Sequence, residues 1–222
     1  CIMDYLSGLY KRGKKTVEVN VFRKGQDPRK TLSKGSVDLQ QAFKNSYAKE
    51  EDQAKFGAQE GYVYDKELSS HNQQVYYNPE KNHMLFSVAG THNVSDIGTD
   101  LKLLASGVKS TQRFKEAEET FGTAKKKYPS ARTTAYGTSM GGSIAANVGA
   151  DDVVTLNRAY RPYDKSGSNE VNLRTHGDIV SIFGSGAKHN TTIAGSGGNI
   201  YRPETWLKSH GSDRIKGMGL KI

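Results

Sequence analysis

Six consecutive residues carry the sharpest chemical signal in this chain: Gly137-Thr138-Ser139-Met140-Gly141-Gly142, a G-x-S-x-G match. A serine serves acyl transfer when it stands on a sharp strand-to-helix turn that lifts its hydroxyl clear of the sheet edge. The chain reverses so tightly there that the residues two before and two after must be small. In that geometry the amide of Met140, at the start of the following helix, donates to an oxyanion forming on a substrate carbonyl. The flanks fit. ARTTAY before Gly137 reads as a strand. The small residues Ser143, Ala145 and Ala146, with Ile144 and Val148 turned to a core, read as a helix to about Val148.

A serine alone is a poor nucleophile; it needs a base, and the base needs an orienting carboxylate. Where such an elbow tops a parallel sheet, the order along the chain is Ser, then Asp or Glu, then His. Downstream acids are Asp151, Asp152, Asp164, Glu170, Asp178, Glu204 and Asp213. Asp178 is favoured because it follows Gly177 directly after the strand-like VNLRTH stretch, and such acids sit in loops after strands. Downstream histidines are His176, His189 and His210. His210 lies late enough for the chain to return to the catalytic edge. His189 is second choice, only eleven residues past Asp178, and His176 precedes the acid.

The elements that must position these groups are read from hydrophobic spacing. Leu39, Phe43 and Tyr47 recur at four-residue steps, which predicts one helix from Val37 to about Phe56. Residues 61–64 and 73–77 read as short strands, and residues 83–88 (HMLFSV) as an apolar strand ending in Ala89-Gly90-Thr91. Phe114, Ala117, Phe121, Ala124 and Tyr128 line one face of a helix over about 110–127 that Pro129 stops. Residues 152–157, 171–174 and 178–183 read as further strands, with a short one at TTIA inside a Gly/Ser-rich loop. Strands alternating with helices predict a mostly parallel sheet covered on its faces. Tyr62, Tyr64, Tyr76 and Tyr77 fit either an apolar cleft or ordinary strand positions.

Taken in order, these blocks resemble the class 3 lipase family of α/β hydrolases over about residues 37–215. The stretch Leu85-Phe86-Ser87-Val88-Ala89-Gly90-Thr91, followed by Asp96 and Thr99-Asp100-Leu101, is similar to that family's R-G-T…D…D-L block. GYVYDKELSSHNQQVYYNPEKN resembles the approach to it. KYP followed by a strand and GTSMGG resembles its G-H-S-L-G-G elbow, and Val154-Thr155-Leu156-Asn157 its next strand. HGDIVSIF and SHGSDRI resemble the segments that hold its catalytic Asp and His. The resemblance implies an α/β-hydrolase fold and hydrolysis of carboxylic esters of lipids. It implies a Ser139–Asp178–His210 triad, an oxyanion hole from Thr91 and Met140, and no metal or other cofactor. Three positions depart from the family pattern: Thr138 for His, Met140 for Leu, and Ala89 for Arg. Only about residues 92–109 remain for a lid, which predicts that a long interfacial lid is lacking.

Charge points to a separate feature. The first 36 residues hold nine Lys and Arg against three acids, two-thirds of the formal +9. Residues 23–36 are polar and turn-rich, so residues 1–36 read as a basic arm or linker before a domain over 37–222. Such an arm suits an anionic membrane surface or nucleic acid. That makes a tethering or structural protein on a hydrolase scaffold the alternative function. Compact lipase-like chains also resemble ones carried by large DNA viruses, which brings a virion-associated role into view. A peptidase or amidase on the same triad is a third reading. Cys1 is the single cysteine, so no internal disulfide or cysteine metal cluster forms. The chain starting at Cys1 reads as a processing site or fragment boundary. No apolar run reaches the roughly 18 residues of a membrane helix. Asp96 and Asp100 read as a helix cap and a buried acceptor rather than a calcium site. Oligomeric state and compartment, secreted ones included, stay open.

Overall fold

The computed structural model describes residues 32–91, 107–159, 169–175, 178, 180, 190–193 and 211–222. Seven strands form one sheet in simple sequence order: β1 (Val63–Tyr64), β2 (Gln73–Asn78), β3 (His83–Val88), β4 (Arg132–Thr138), β5 (Asp152–Leu156), β6 (Glu170–Thr175) and β7 (Asn190–Ile193). The first three are antiparallel neighbours, and from β3 to β7 every pair is parallel. The helices are α1 (Leu39–Asn45), α2 (Glu50–Gln59), α3 (Gln112–Lys127) and α4 (Ser139–Ala145).

Period-two alternation sends successive strand residues to opposite faces. Leu85, Tyr136, Val154 and Leu156 enter one core with Leu39, Ala42 and Phe43 of α1. Met84, Phe86, Val88 and Ala135 enter the other with Phe114, Ala117, Phe121 and Ala124 of α3 and with Ile144 of α4. The sheet is therefore covered on both faces, and the fold is of the expected α/β class, a mostly parallel central sheet with helices on both faces. Local chemistry starts the helices: Asp38 Oδ1 accepts from Gln41 N at 2.9 Å, and Thr111 Oγ1 accepts from Phe114 N at 3.2 Å. The chain end adds to the first core, where Val37 and Leu39 amides donate to the carbonyls of Ile222 and Leu220 at 3.0 and 2.9 Å.

Three expected elements differ. The single helix over 37–56 is two helices, because Ser46 Oγ turns back to Phe43 O at 2.7 Å and closes α1. Tyr47, the third residue of the stripe, thereby leaves the helix. The helix after Ser139 stops at Ala145 rather than Val148, with Gly149 in a left-handed turn at φ +87°. Within 178–183, Asp178 and Val180 lie outside any strand. Three of the four tyrosines are strand residues: Tyr76 is fully buried, Tyr64 tilts against it at 5.5 Å, and Tyr77 stacks on Tyr128 at 4.2 Å, while Tyr62 lies just before β1 with its hydroxyl 2.7 Å from His83 Nδ1. Residues 1–31 of the basic segment lie outside the described residues. Within 32–36, Leu32 is buried in the first core and Ser36 Oγ accepts from Lys81 Nζ at 2.6 Å.

One buried carboxylate braces the sheet's second face. Tyr128 donates to Asp65 Oδ2 at 2.7 Å, and Lys127 Nζ stands 2.8 Å away. Burial pushes the Asp65 pKa up, but the Lys127 and Tyr128 hydrogen bonds outweigh it and hold the carboxyl below its usual range. A carboxyl depressed in the folded state contributes stability above its unfolded pKa and loses it as pH falls through the folded one. Asp65→Asn is expected to cost about 2 kcal/mol at pH 7 and distinctly less near pH 2. Urea unfolding at the two pH values measures this.

Candidate active site

The G-x-S-x-G segment forms the junction of β4 and α4, at the C-terminal edge of the parallel strands. Val88, Gly137, Thr155 and Asn172 stand side by side across β3 to β6, so those strands end nearly level. Open parallel sheets bind ligands at this edge. Ser139 has φ +53°, a left-handed conformation that costs an L-residue roughly 1–3 kcal/mol. The crowding around it explains the two glycines. A Cβ on Gly141 would lie 2.3 Å from Val88 O and 2.5 Å from Ala89 O. One on Gly137 would lie 2.6 Å from the Gly141 carbonyl and 2.7 Å from Val88 O. The next glycine, Gly142, lets α4 settle on β5, where a Cβ would meet Thr155 Cβ at 3.2 Å.

Across this turn runs Ala89-Gly90-Thr91, the segment leaving β3. Its backbone is held by two side chains from elsewhere. Arg113, in the first turn of α3, donates from Nη2 to Ala89 O at 2.7 Å and from Nη1 to Gly90 O at 3.4 Å. Gly90 N donates to Tyr47 Oη at 2.9 Å. The same hydroxyl hydrogen-bonds Thr138 Oγ1, on the residue before the serine. Burial raises the Tyr47 pKa, against lowering by Thr138, the Gly90 amide and the Arg113 charge. The phenol therefore keeps its proton at neutral pH. Gly90 is glycine for want of space, since a Cβ there would lie 2.3 Å from Tyr47 Oη and 2.8 Å from Thr138 O.

The third segment at this edge leaves β6. Asp178 is buried, and its amide donates to Thr175 O at 3.2 Å. Thr175 is gripped in turn by Asn157, whose Oδ1 accepts from Thr175 N at 2.8 Å and from its hydroxyl at 3.1 Å. Asn157 has φ +51°, a conformation that asparagine tolerates better than most residues. Two residues on, Ala159 N meets Ser139 O at 3.4 Å, and Ser143 Oγ donates to Ala159 O at 2.6 Å. The chain after β5 thus links the serine turn to the Asp178 turn.

Ser139, Met140, Thr91 and Asp178 all follow C-terminal strand ends. Among the described competing acids, Asp151, Asp152 and Glu170 do not. Asp151 and Asp152 stand at the opposite end of the sheet, where Asp151 accepts from Thr133 Oγ1 at 2.7 Å and Asp152 pairs with Arg132 at 2.7 Å. Glu170 begins β6 at that same end and pairs with Arg158, both side chains buried. Asp213 pairs with Lys44 at 2.8 Å. Asp164, Glu204, Asp96 and Asp100 lie outside the described residues, as do His176, His189 and His210 and residues 92–106 of the lid region. Among the described residues no group of three or more His, Cys, Asp or Glu could hold a metal ion. No described helix is long and apolar enough to cross a membrane.

Sequence spacing did not reveal Tyr47, Arg113 or Asn157 as part of this region. Its four-residue spacing from Leu39 and Phe43 makes Tyr47 look like one more apolar position of a helix. Arg113 is half-buried at the edge of the α3 stripe, with no local mark of its target.

No family model matches the chain, and no curated protein does. Solved structures with a similar outline include fungal lipases. The lipase of Rhizopus microsporus var. chinensis matches at TM-score 0.42 and 13% identity, over 77% of this chain and 78% of its own. A fungal lipase–inhibitor complex matches at 0.41 and 16%, over 61% and 68%. The Lip2 lipase of Yarrowia lipolytica matches at 0.34 and 16%, over 54% of this chain and 61% of its own, so this chain spans about three-fifths of that neighbour. With scores this low, the reading of the site rests on its own geometry.

The strain at Ser139 is separable from its chemistry. Ser139→Gly is expected to raise unfolding stability by about 1 kcal/mol, because glycine occupies the left-handed region without penalty. Gly141→Ala, by contrast, is expected to destabilise by about 3 kcal/mol or more, since its Cβ meets backbone. Guanidinium denaturation of the two variants beside the wild type decides both.

Proposed function

We propose that this chain is a serine hydrolase of carboxylic esters, with lipid esters as its substrate class and Ser139 as nucleophile. The observation that carries the reading is the left-handed Ser139 at the C-terminal sheet edge, flanked by Gly137 and Gly141 where any side chain would strike backbone. A fold holds a strained serine in such a place when the hydroxyl has work to do. The choice of lipid esters over amides follows the ordered motif resemblance rather than the site.

In this reading Ser139 Oγ attacks the ester carbonyl while His210 takes its proton. The carbonyl oxygen becomes an oxyanion facing the Met140 and Thr91 amides. Collapse expels the alcohol, which takes its proton from His210, and leaves an acyl-enzyme. Water, deprotonated by His210, then releases the acid and frees Ser139. Asp178 holds the imidazole in the required tautomer. The position of Asp178 supports this role, as the turn after β6 lies two strands beyond the serine strand. β7 runs parallel to β6, so the chain leaves Ile193 at the catalytic edge on its way toward His210. No step requires a metal.

A chain-length series of p-nitrophenyl esters tests the reading. The wild type is expected to turn over, and Ser139→Ala, Asp178→Asn and His210→Ala to lose about 10³–10⁴-fold or more in kcat. The length profile separates short-chain esterase from lipase, and a matched anilide series exposes amidase activity. Equal turnover by wild type and Ser139→Ala would sink the assignment.

A further inference from the structure

Two consecutive peptide units join Ala89, the first residue after β3, to the proposed oxyanion donor Thr91, and glycine sits between them. Glycine crosses φ/ψ space freely, so such a pair would flip unless held. The first unit, Ala89–Gly90, is held at both ends: its carbonyl by Arg113 Nη2 at 2.7 Å and its N–H by Tyr47 Oη at 2.9 Å. The second, Gly90–Thr91, has its carbonyl within 3.4 Å of Arg113 Nη1. A peptide unit is planar and trans, so its carbonyl and N–H point in opposite directions. A cation fixed on Gly90 O therefore fixes where the Thr91 N–H points. It also draws electron density toward the carbonyl, which makes that N–H a stronger donor. The same Nη1 stands 3.9 Å from Met140 Sδ, so one guanidinium touches both segments from which oxyanion donors would come.

We propose that Arg113 is the positioning residue of the oxyanion loop, orienting and polarising the Thr91 amide toward the carbonyl that Ser139 attacks. Tyr47 is its counterpart on the other side of Gly90. The inference rests on the ester-hydrolase reading above. Ala89 stands where the family resemblance places arginine; here a guanidinium reaches the same loop from α3. The guanidinium reaches the two carbonyls from two nitrogens fixed in one plane, a geometry that lysine's single ammonium does not reproduce, so lysine is not an equivalent replacement.

The test compares wild type, Arg113→Lys, Arg113→Ala and Tyr47→Phe in the full chain on the best p-nitrophenyl ester. Functional sites are first counted by titration with a p-nitrophenyl alkylphosphonate, so that misfolded protein is not scored as slow enzyme. Per titrated site, Arg113→Ala is expected to lose about 10²-fold in kcat, the scale of one oxyanion donor, with KM within about threefold of wild type. Binding of a trifluoromethyl ketone, whose hydrated or serine-bound oxygen mimics the oxyanion, is expected to weaken by a similar factor. Arg113→Lys recovers only part of the loss. Added guanidinium chloride at millimolar concentration raises kcat of Arg113→Ala but not of wild type. A kcat within threefold of wild type per titrated site, or a loss carried by KM alone, overturns the proposal. If the wild type neither turns over nor reacts with the phosphonate, the hydrolase reading fails and this inference falls with it. That outcome is distinguished from the first by the wild-type titration.

Discussion

The tight chain reversal at Ser139 is the constraint on which the rest of the structure depends. β4 must hand over to α4 within a few ångströms of the backbone leaving β3, and every group at that crossing is chosen for closeness. Gly137 and Gly141 are there because Val88 O and Ala89 O already fill the space. Gly90 is there because Tyr47 and Thr138 fill theirs. The serine absorbs the remaining mismatch as a positive φ. This strain persists because two cores, one on each face of the sheet, over-determine the paths of β3 and β4.

Packing so close creates a second problem, which polar side chains solve. The segments leaving β3, β5 and β6 are irregular and therefore offer backbone groups that no strand partner satisfies. Arg113 takes two carbonyls of the first, and Tyr47 one amide. Asn157 takes the Thr175 amide at the root of the Asp178 turn, and Ser143 takes the Ala159 carbonyl after β5. Each such bond is worth only about 1 kcal/mol net. Together they tie the starts of these three segments to the serine turn and its neighbours. An arrangement of that kind suits a reaction whose charge develops at a single oxygen, because preorganised dipoles need not rearrange as it forms.

The hydroxyl of Tyr47 ties the two halves of this arrangement. It joins Gly90 in the loop to Thr138 in the elbow strand, and burial keeps it a neutral phenol. Helix α1 ends early to deliver it: Ser46 closes the helix onto Phe43, and the residue that spacing assigned to the next turn goes to the site instead. A local departure from helical pattern here coincides with a contact at the candidate site, as expected when tertiary need overrides propensity.

Strands and the elbow were legible because their causes are local. HMLFSV is apolar on both sides and long enough for one buried strand, and β3 occupies those six residues. GTSMGG carries its own steric explanation in the glycine spacing. The α3 stripe of Phe114, Ala117, Phe121 and Ala124 has a period that admits one buried face. Choosing among seven downstream acids was not a local matter. Asp151, Asp152 and Glu170 are excluded by lying at the wrong end of strands whose direction the sheet pairing sets. The sequence by itself determined the element types and the serine turn, because periodicity and side-chain size act within a few residues. The tertiary structure alone decided that Asp151, Asp152 and Glu170 lie away from the serine's edge while Asp178 follows a strand end there, and which distant arginine and tyrosine hold the neighbouring loop. Those contacts join residues 43 and 24 positions apart, and no short-range pattern specifies them.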